Sequence, residues 1–208
     1  MSTHDSPHPK VAQADHDVID VIRHRWSPRA FDPNQDVTPA QLHSLFEAAR
    51  WAPSSNNEQP WRFVFAHVRR SAEAHAAMLE SVTPKNRAWA KHAPVLVLVA
   101  VRKTHERNGA PNTHAWYDAG QAVGFLSLQA TASGLAVRQM QGFDAEAVRK
   151  ACAVPDPFEP AVVMAVGAAG DPDALEIDFH RDAERQPRTR RPIGDFVFQA
   201  TWGRPLED

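Results

Sequence analysis

The sequence predicts an α+β domain in which a sheet of four or five strands lies between helices, and three stretches carry that expectation. Pro94-Val-Leu-Val-Leu-Val-Ala-Val101 is an unbroken run of strand formers, suited to a central strand covered on both faces. From Trp61 to Val68, the residues Trp61, Phe63 and Phe65 alternate with Arg62, Val64 and Ala66, the period of a strand. Thr113 to Ser133 carries Trp116, Tyr117, Val123, Phe125, Leu126 and Leu128 on nearly all sides, as expected for a long helix packed against more than one neighbour. With 208 residues, 43% of them apolar, the chain suffices for one good core and is short for two.

Taken in order, Met1 to Gln13 has no apolar stretch long enough for a signal peptide, and residues 1–15 read as a flexible tail. His4, His8 and His16 lie in or beside it, where a floppy segment offers a metal no fixed geometry. Asp17 to His24 places Val18, Ile19 and Ile22 at helical spacing and leads into Arg25. After a turn-rich link over Asp32 to Val37, Thr38-Pro-Ala-Gln41 has the hydroxyl, proline and amide of a capping box. Leu42, Leu45, Phe46 and Ala49 continue that helix to Trp51, and it delivers the polar connector Pro53-Ser-Ser-Asn-Asn57 to the strand that begins at Trp61. Ser71 is placed to cap a helix that runs through Ser81 and stops at Pro84, before a segment with Asn86 and Trp89.

Arg102 to Asn112 is a polar loop carrying Lys103, His105 and Arg107; a solvated connector or a contact for donor phosphates would both have this composition. The long helix contains Gly120-x-x-x-Gly124 with Ala119, Ala122 and Ser127, which lets another backbone come close, inside the chain or in a second copy. Gly134 ends it, Leu135 to Met140 reads as a strand leading to Gln141-Gly142-Phe143, and Asp144 caps a helix through Ala153. Pro160 to Val166 is a further apolar strand. From Gly170 the chain is polar and basic, with no core-sized stripe before Ile193, although Phe196, Phe198 and Trp202 suggest docking on something apolar.

A formal charge of -2, from 23 basic and 25 acidic side chains, gives no overall case for nucleic acid or membrane. The most apolar stretch, Ala115 to Val137, contains Asp118, Gln121 and Gln129, which argues against a span. Cys152 is the only cysteine, so no internal disulfide forms, and a reducing, cytoplasmic setting is expected. Zinc-ligand spacing, a phosphate loop and Gly-x-Gly-x-x-Gly are absent from the sequence. Ser54 and Ser55 lie outside any Gly-x-Ser-x-Gly, which disfavours a serine hydrolase.

The chemistry concentrates in two early motifs. In Arg25-Trp-Ser-Pro-Arg29, an extended backbone points Arg25, Ser27 and Arg29 to one side, where two planar guanidinium forks flank a hydroxyl and suit a phosphate or an electron-rich ring edge. The connector Pro53-Ser-Ser-Asn-Asn57 is dense in hydroxyls, amides and turn formers held between rigid elements; a surface turn or a ligand loop would share those features. Together, Arg-x-Ser-x-Arg-x-Phe followed by Ala-Pro-Ser-Ser-x-Asn-x-Gln-Pro-Trp resembles the FMN-dependent nitroreductase family over roughly residues 18–206.

That resemblance implies a three-layer fold with a central mixed or antiparallel sheet, built as an intertwined homodimer with FMN at the subunit interface. It divides the chain into a tail (1–15), an FMN-binding domain (16–170) and a C-terminal extension that wraps the partner subunit (171–208). By resemblance, Arg25, Trp26, Ser27 and Arg29 line the cofactor, with Arg29 at the N1 edge; Pro53, Ser54, Ser55 and Asn57 meet the ring from the other subunit. Asn86 lies near the flavin, Gln141 and Gly142 present a backbone amide to N5, and Arg188 and Arg190 grip the phosphate. The implied activity is ping-pong transfer of reducing equivalents from NADH or NADPH through FMN to a nitroaromatic, quinone or similar small acceptor, with no side chain assigned a catalytic role. A flavoprotein that only binds or senses FMN, or a relative with a specialised flavin reaction, has the same motifs. The many relatives with a longer helical insertion at residues 102–112 differ from this chain there.

Overall fold

The computed structural model describes residues 10–206, so the expectations about His4, His8 and the first nine residues of the tail lie outside it. The elements run α1 (Asp20–His24), α2 (Pro39–Arg50), β1 (Trp61–His67), α3 (Ala72–Glu80), α4 (Pro84–Ala90), β2 (Val95–Arg102), α5 (Ala115–Ala132), β3 (Ala136–Met140), α6 (Ala145–Ala151), β4 (Phe158–Gly167) and α7 (Asp178–Arg185). The four strands form one antiparallel sheet in the order β1-β2-β4-β3.

β2 explains the layering. Both its faces are covered, and its alternate residues feed two different cores. Val95, Val97, Val99 and Val101 point to a cluster with Leu42, Leu45 and Ala49 of α2 and Ala119, Val123 and Leu126 of α5. Leu96, Leu98 and Ala100 point to the other side, where Met78 of α3, Trp89 of α4 and Val148 of α6 complete a second cluster. A sheet between two helical layers follows, and each fully buried leucine contributes about 1.5–3 kcal/mol.

Local signals act as the sequence implies at α2. The Thr38 hydroxyl accepts the Gln41 N–H at 3.2 Å while the Gln41 side-chain oxygen accepts the Thr38 N–H at 2.9 Å. Ser71 behaves differently: its hydroxyl accepts the His67 N–H at 2.7 Å, closing the turn from β1 into α3 in place of a cap. Pro84, expected only to stop α3, also opens α4, because a ring-fixed φ and a missing N–H cost nothing in a first helical turn.

The polar extension contains a helix that its composition hides. α7 buries His180 and Glu184, one turn apart, where an apolar stripe would normally sit. Lys10 donates to the Ala183 and Gln186 carbonyls, a cation at the open end of α7, and is itself 7% exposed. Ala12 N–H reaches the Arg23 carbonyl, so Lys10 and Ala12 are tied to the fold while residues 13–20 stay exposed. Among the described residues no helix is long and apolar enough to cross a membrane.

Candidate functional site

The arginine motif is positioned by the end of β4. Gly170 N–H donates to the Ala30 carbonyl and Asp32 N–H to the Ala168 carbonyl, and Phe31 pairs with Ala169. A Cβ on Gly170 would come within 2.6 Å of the Phe31 carbonyl carbon, so this crossing requires glycine. Buried Pro28, Ala30 and Phe31 anchor the segment, and Phe31 stacks on Trp89 with centroids 6.3 Å apart.

On that support Arg25 donates to the Ser27 hydroxyl at 3.0 Å, so the alternation places these two on one side as expected. Arg29 turns toward Glu184 of α7, at 3.7 Å. Trp26 lies below the Lys10 ammonium, 5.7 Å from its ring centre. Two further arginines complete the cluster, Arg138, which the sequence motifs did not single out, and Arg188, which the resemblance places at the phosphate. Arg138 of β3 donates to the Ser27 carbonyl and lies 5.3 Å over the Trp89 ring. Arg188 donates to the carbonyls of Arg25 and Arg23, fastening the extension to the motif.

These cations crowd one another. Burial, followed by the Arg29 charge, holds the Arg138 guanidinium at about 10. Burial also lowers Arg25, Arg29 and Arg188; Arg190 adds to the effect at Arg25, and Arg25 and Arg190 add to it at Arg188. Glu184, 3% exposed, is the buried carboxylate that faces them. A half-buried group of guanidiniums with so little counter-charge favours an anion. Beside it opens a cleft of about 440 Å³ whose lining includes Arg25, Arg188, Arg190 and Arg191, the acidic Asp15, and the apolar Ile22 and Phe196.

Asn86, Gln141 and Gly142 gather at a second point. Thr83 N–H donates to the Gly142 carbonyl at 3.0 Å, and the Asn86 amide reaches the same oxygen at 3.4 Å. A Cβ on Gly142 would sit 2.9 Å from both Asn86 Nδ2 and Thr83 Oγ1, so a larger residue there would displace these two side chains. Gln141 is exposed beside it. α7 links this point to the arginines: Lys85 lies 5.2 Å over the Phe179 ring, and the charges of Arg29, Lys85 and Arg138 all act on His180.

The Ser/Asn connector is built elsewhere. Ser54 Oγ accepts the Gln59 N–H at 3.0 Å, Ser55 N–H donates to buried Asp118 of α5 at 3.0 Å, and Asn57 N–H donates to the Ser54 carbonyl. Asn56, Asn57 and Gln59 have φ of 52°, 56° and 47°, the left-handed region that asparagine tolerates better than most side chains. The next residue, Glu58, accepts the Glu106 N–H at 3.2 Å and lies 3.2 Å from His105 Nδ1, tying the connector to the 102–112 loop. Pro53 is exposed, and none of the connector's hydrogen bonds among the described residues reaches Arg25, Ser27 or Arg29. The connector enters β1 at Trp61, opposite Val101, whereas the arginine motif is held by residues just past Val166, opposite Val95, so the two lie toward opposite ends of β2.

His180, Glu184 and Lys10 escaped the sequence reading because each is polar and none lies in a motif. The four-residue step from His180 to Glu184, on an otherwise solvated helix, is the signal that could have found the pair.

Known proteins resemble this chain in sequence and in fold. A crystal structure described as an oxidoreductase containing FMN superposes with a TM-score of 0.85 at 32% identity, covering 92% of this chain and 96% of that one. An uncharacterized 15.4 kDa protein of Mycolicibacterium smegmatis is 32% identical over 137 residues, 65% of this chain and 90% of its own length. The oxygen-insensitive NAD(P)H nitroreductase of Salmonella typhimurium is 36% identical over a shorter stretch of 50 residues, 24% of this chain and 23% of that relative. The model of the nitroreductase family matches residues 22–168, the span that contains both early motifs and the whole sheet, and the chain belongs to that family.

Proposed function

We propose that the protein is an FMN-dependent NAD(P)H oxidoreductase, and the observation that carries this reading is the under-neutralised cluster of Arg25, Arg29, Arg138 and Arg188. FMN has a phosphate for such a cluster, and its ring N5 accepts a hydride, two electrons and one proton, leaving one added negative charge about N1. Arg25, Ser27, Arg188 and Arg190 would hold phosphate and ribityl, the last two from the cleft beside the motif. Arg29 would answer the charge gained at N1, a fixed cation already in place before reduction. Asn86 and the Gln141–Gly142 turn would lie at the ring edge, Asn86 held to the turn through the Gly142 carbonyl.

The Ser54–Asn57 connector would meet the ring from a second copy of the chain. Supporting a homodimer, α5 exposes Trp116, Tyr117 and Phe125, and a Cβ built on Gly120 or Gly124 would meet nothing within 4 Å. Phe196 and Trp202, 62% and 92% exposed, would cover apolar surface of that partner. With the donor released, a nitroaromatic or quinone would use the same open ring face, giving ping-pong turnover.

The absorption spectrum of the purified protein tests this directly. A yellow, dimeric protein bleached anaerobically by NADH or NADPH and recoloured by a nitroaromatic is expected. A colourless protein that does not take up FMN would overturn the reading, and a yellow one that neither donor bleaches would leave a flavin-binding protein without this turnover.

A further inference from the structure

Glu184 stands out as a charge the fold could have done without. It is 3% exposed, on a helix that meets the rest of the chain mainly through polar groups, and burying a carboxylate is costly unless something needs it there. One of its oxygens faces Arg29 at 3.7 Å, while Glu184 Oε2 and His180 Nε2, both buried, have no hydrogen-bond partner among the described residues. The charge of Glu184 also acts on Lys10, whose ammonium donates to the carbonyls of Ala183 and Gln186, before and after Glu184 in the chain. An apolar residue at 184 would pack α7 without this cost. The carboxylate instead shares the cation that the preceding section assigns to the flavin.

Resting on that assignment, we infer that Glu184 is a positioning residue that sets the reduction potential of the bound flavin by competing for Arg29. Two electrons and a proton leave the nicotinamide donor as hydride, the donor departs oxidised, and the ring gains one negative charge that Arg29 stabilises. A fixed carboxylate on the same guanidinium weakens that stabilisation, binds the oxidised ring relatively better than the reduced one, and lowers the potential. The reduced protein becomes a stronger reductant, suited to acceptors that are themselves hard to reduce, nitroaromatics among them. His180, which burial keeps neutral, adds no positive charge to oppose this effect.

The test is a spectroscopic redox titration of the FMN-loaded protein and its variants. Glu184→Gln removes the charge and keeps the shape; its potential is expected to rise by about 30 mV, a tenfold shift in the ratio of oxidised to reduced FMN affinity. Glu184→Asp keeps the charge and is expected to stay near wild type. Glu184→Met removes the charge with an apolar side chain of similar length and is expected to raise the potential in the same way. A Glu184→Gln or Glu184→Met potential equal to wild type, or equal rises in Gln and Asp, would each overturn the inference. If Glu184→Gln does not fold, Glu184→Met decides alone. A wild-type protein that binds no FMN would fail earlier and bring down the functional reading; FMN binding with unmoved potentials would bring down only this one.

Discussion

α5 and α7 show two ways of fixing a helix on the same fold. α5 buries Ala115, Ala119, Ala122, Val123, Leu126 and Ala130 against the β2 valines, so its place is set by non-directional apolar contact. α7 buries His180 and Glu184, so its place is set by charges and carbonyls that must meet in one geometry. The first arrangement tolerates small displacements and supplies stability. The second supplies less stability but brings titratable groups to the arginine motif, and its polar contacts are where chemistry can be tuned.

Four outcomes would break or sharpen this contrast. The largest is expected in the scaffold: Leu126→Ala should cost about 2–5 kcal/mol by denaturant unfolding, and a loss confined to FMN binding would show that α5 is not the support described. Next, Arg190→Glu should strip FMN from the purified protein, because it reverses charge in the cleft beside Arg25. Flavin content equal to wild type would remove Arg190 from the site. Arg29→Ala should slow anaerobic flavin reduction by on the order of 100-fold while weakening FMN binding less; stopped-flow and flavin titration giving the opposite ranking would contradict its place at the ring edge.

The smallest effect is a pH dependence that divides between the two regions. Burial holds both His75, on the buried face of α3, and His180 below the usual imidazole value of about 6.5, so their protonation favours the opened chain. Their contribution is therefore complete above about 6.5 and is lost as pH falls toward the depressed folded values. His75→Gln should flatten the fall in global Tm between pH 7 and 5. His180→Gln should instead flatten the acid-induced rise in tryptic cleavage at Arg181 or Arg185, sites on α7 itself. Equal changes in both assays from either variant would show that scaffold and arm open as one unit.

The residues differ in how much of their structure they announce. β2 was readable because a central strand must be apolar on both faces, and α2 because Thr38 and Gln41 cap it through neighbours in sequence. Arg25 and Ser27 were readable for the same reason, since a period of two needs no tertiary information. Arg138 was legible only as part of a strand, and the fold supplied the Trp89 ring beneath it and the Ser27 carbonyl as its partner. The helix at Asp178–Arg185 was invisible because its buried face is polar, and a hydropathy pattern cannot distinguish a solvated carboxylate from one buried beside a guanidinium.

By itself, then, the amino-acid order determined everything governed by short-range periodicity and turn chemistry: the strands, α2 and α5, the extended arginine motif and the Ser/Asn connector. Only the tertiary structure decided which charges share a low-dielectric space. Arg29, Arg138, Lys10 and Glu184 come from four segments far apart in the chain, and their interaction depends on burial and distance, quantities that no local pattern encodes.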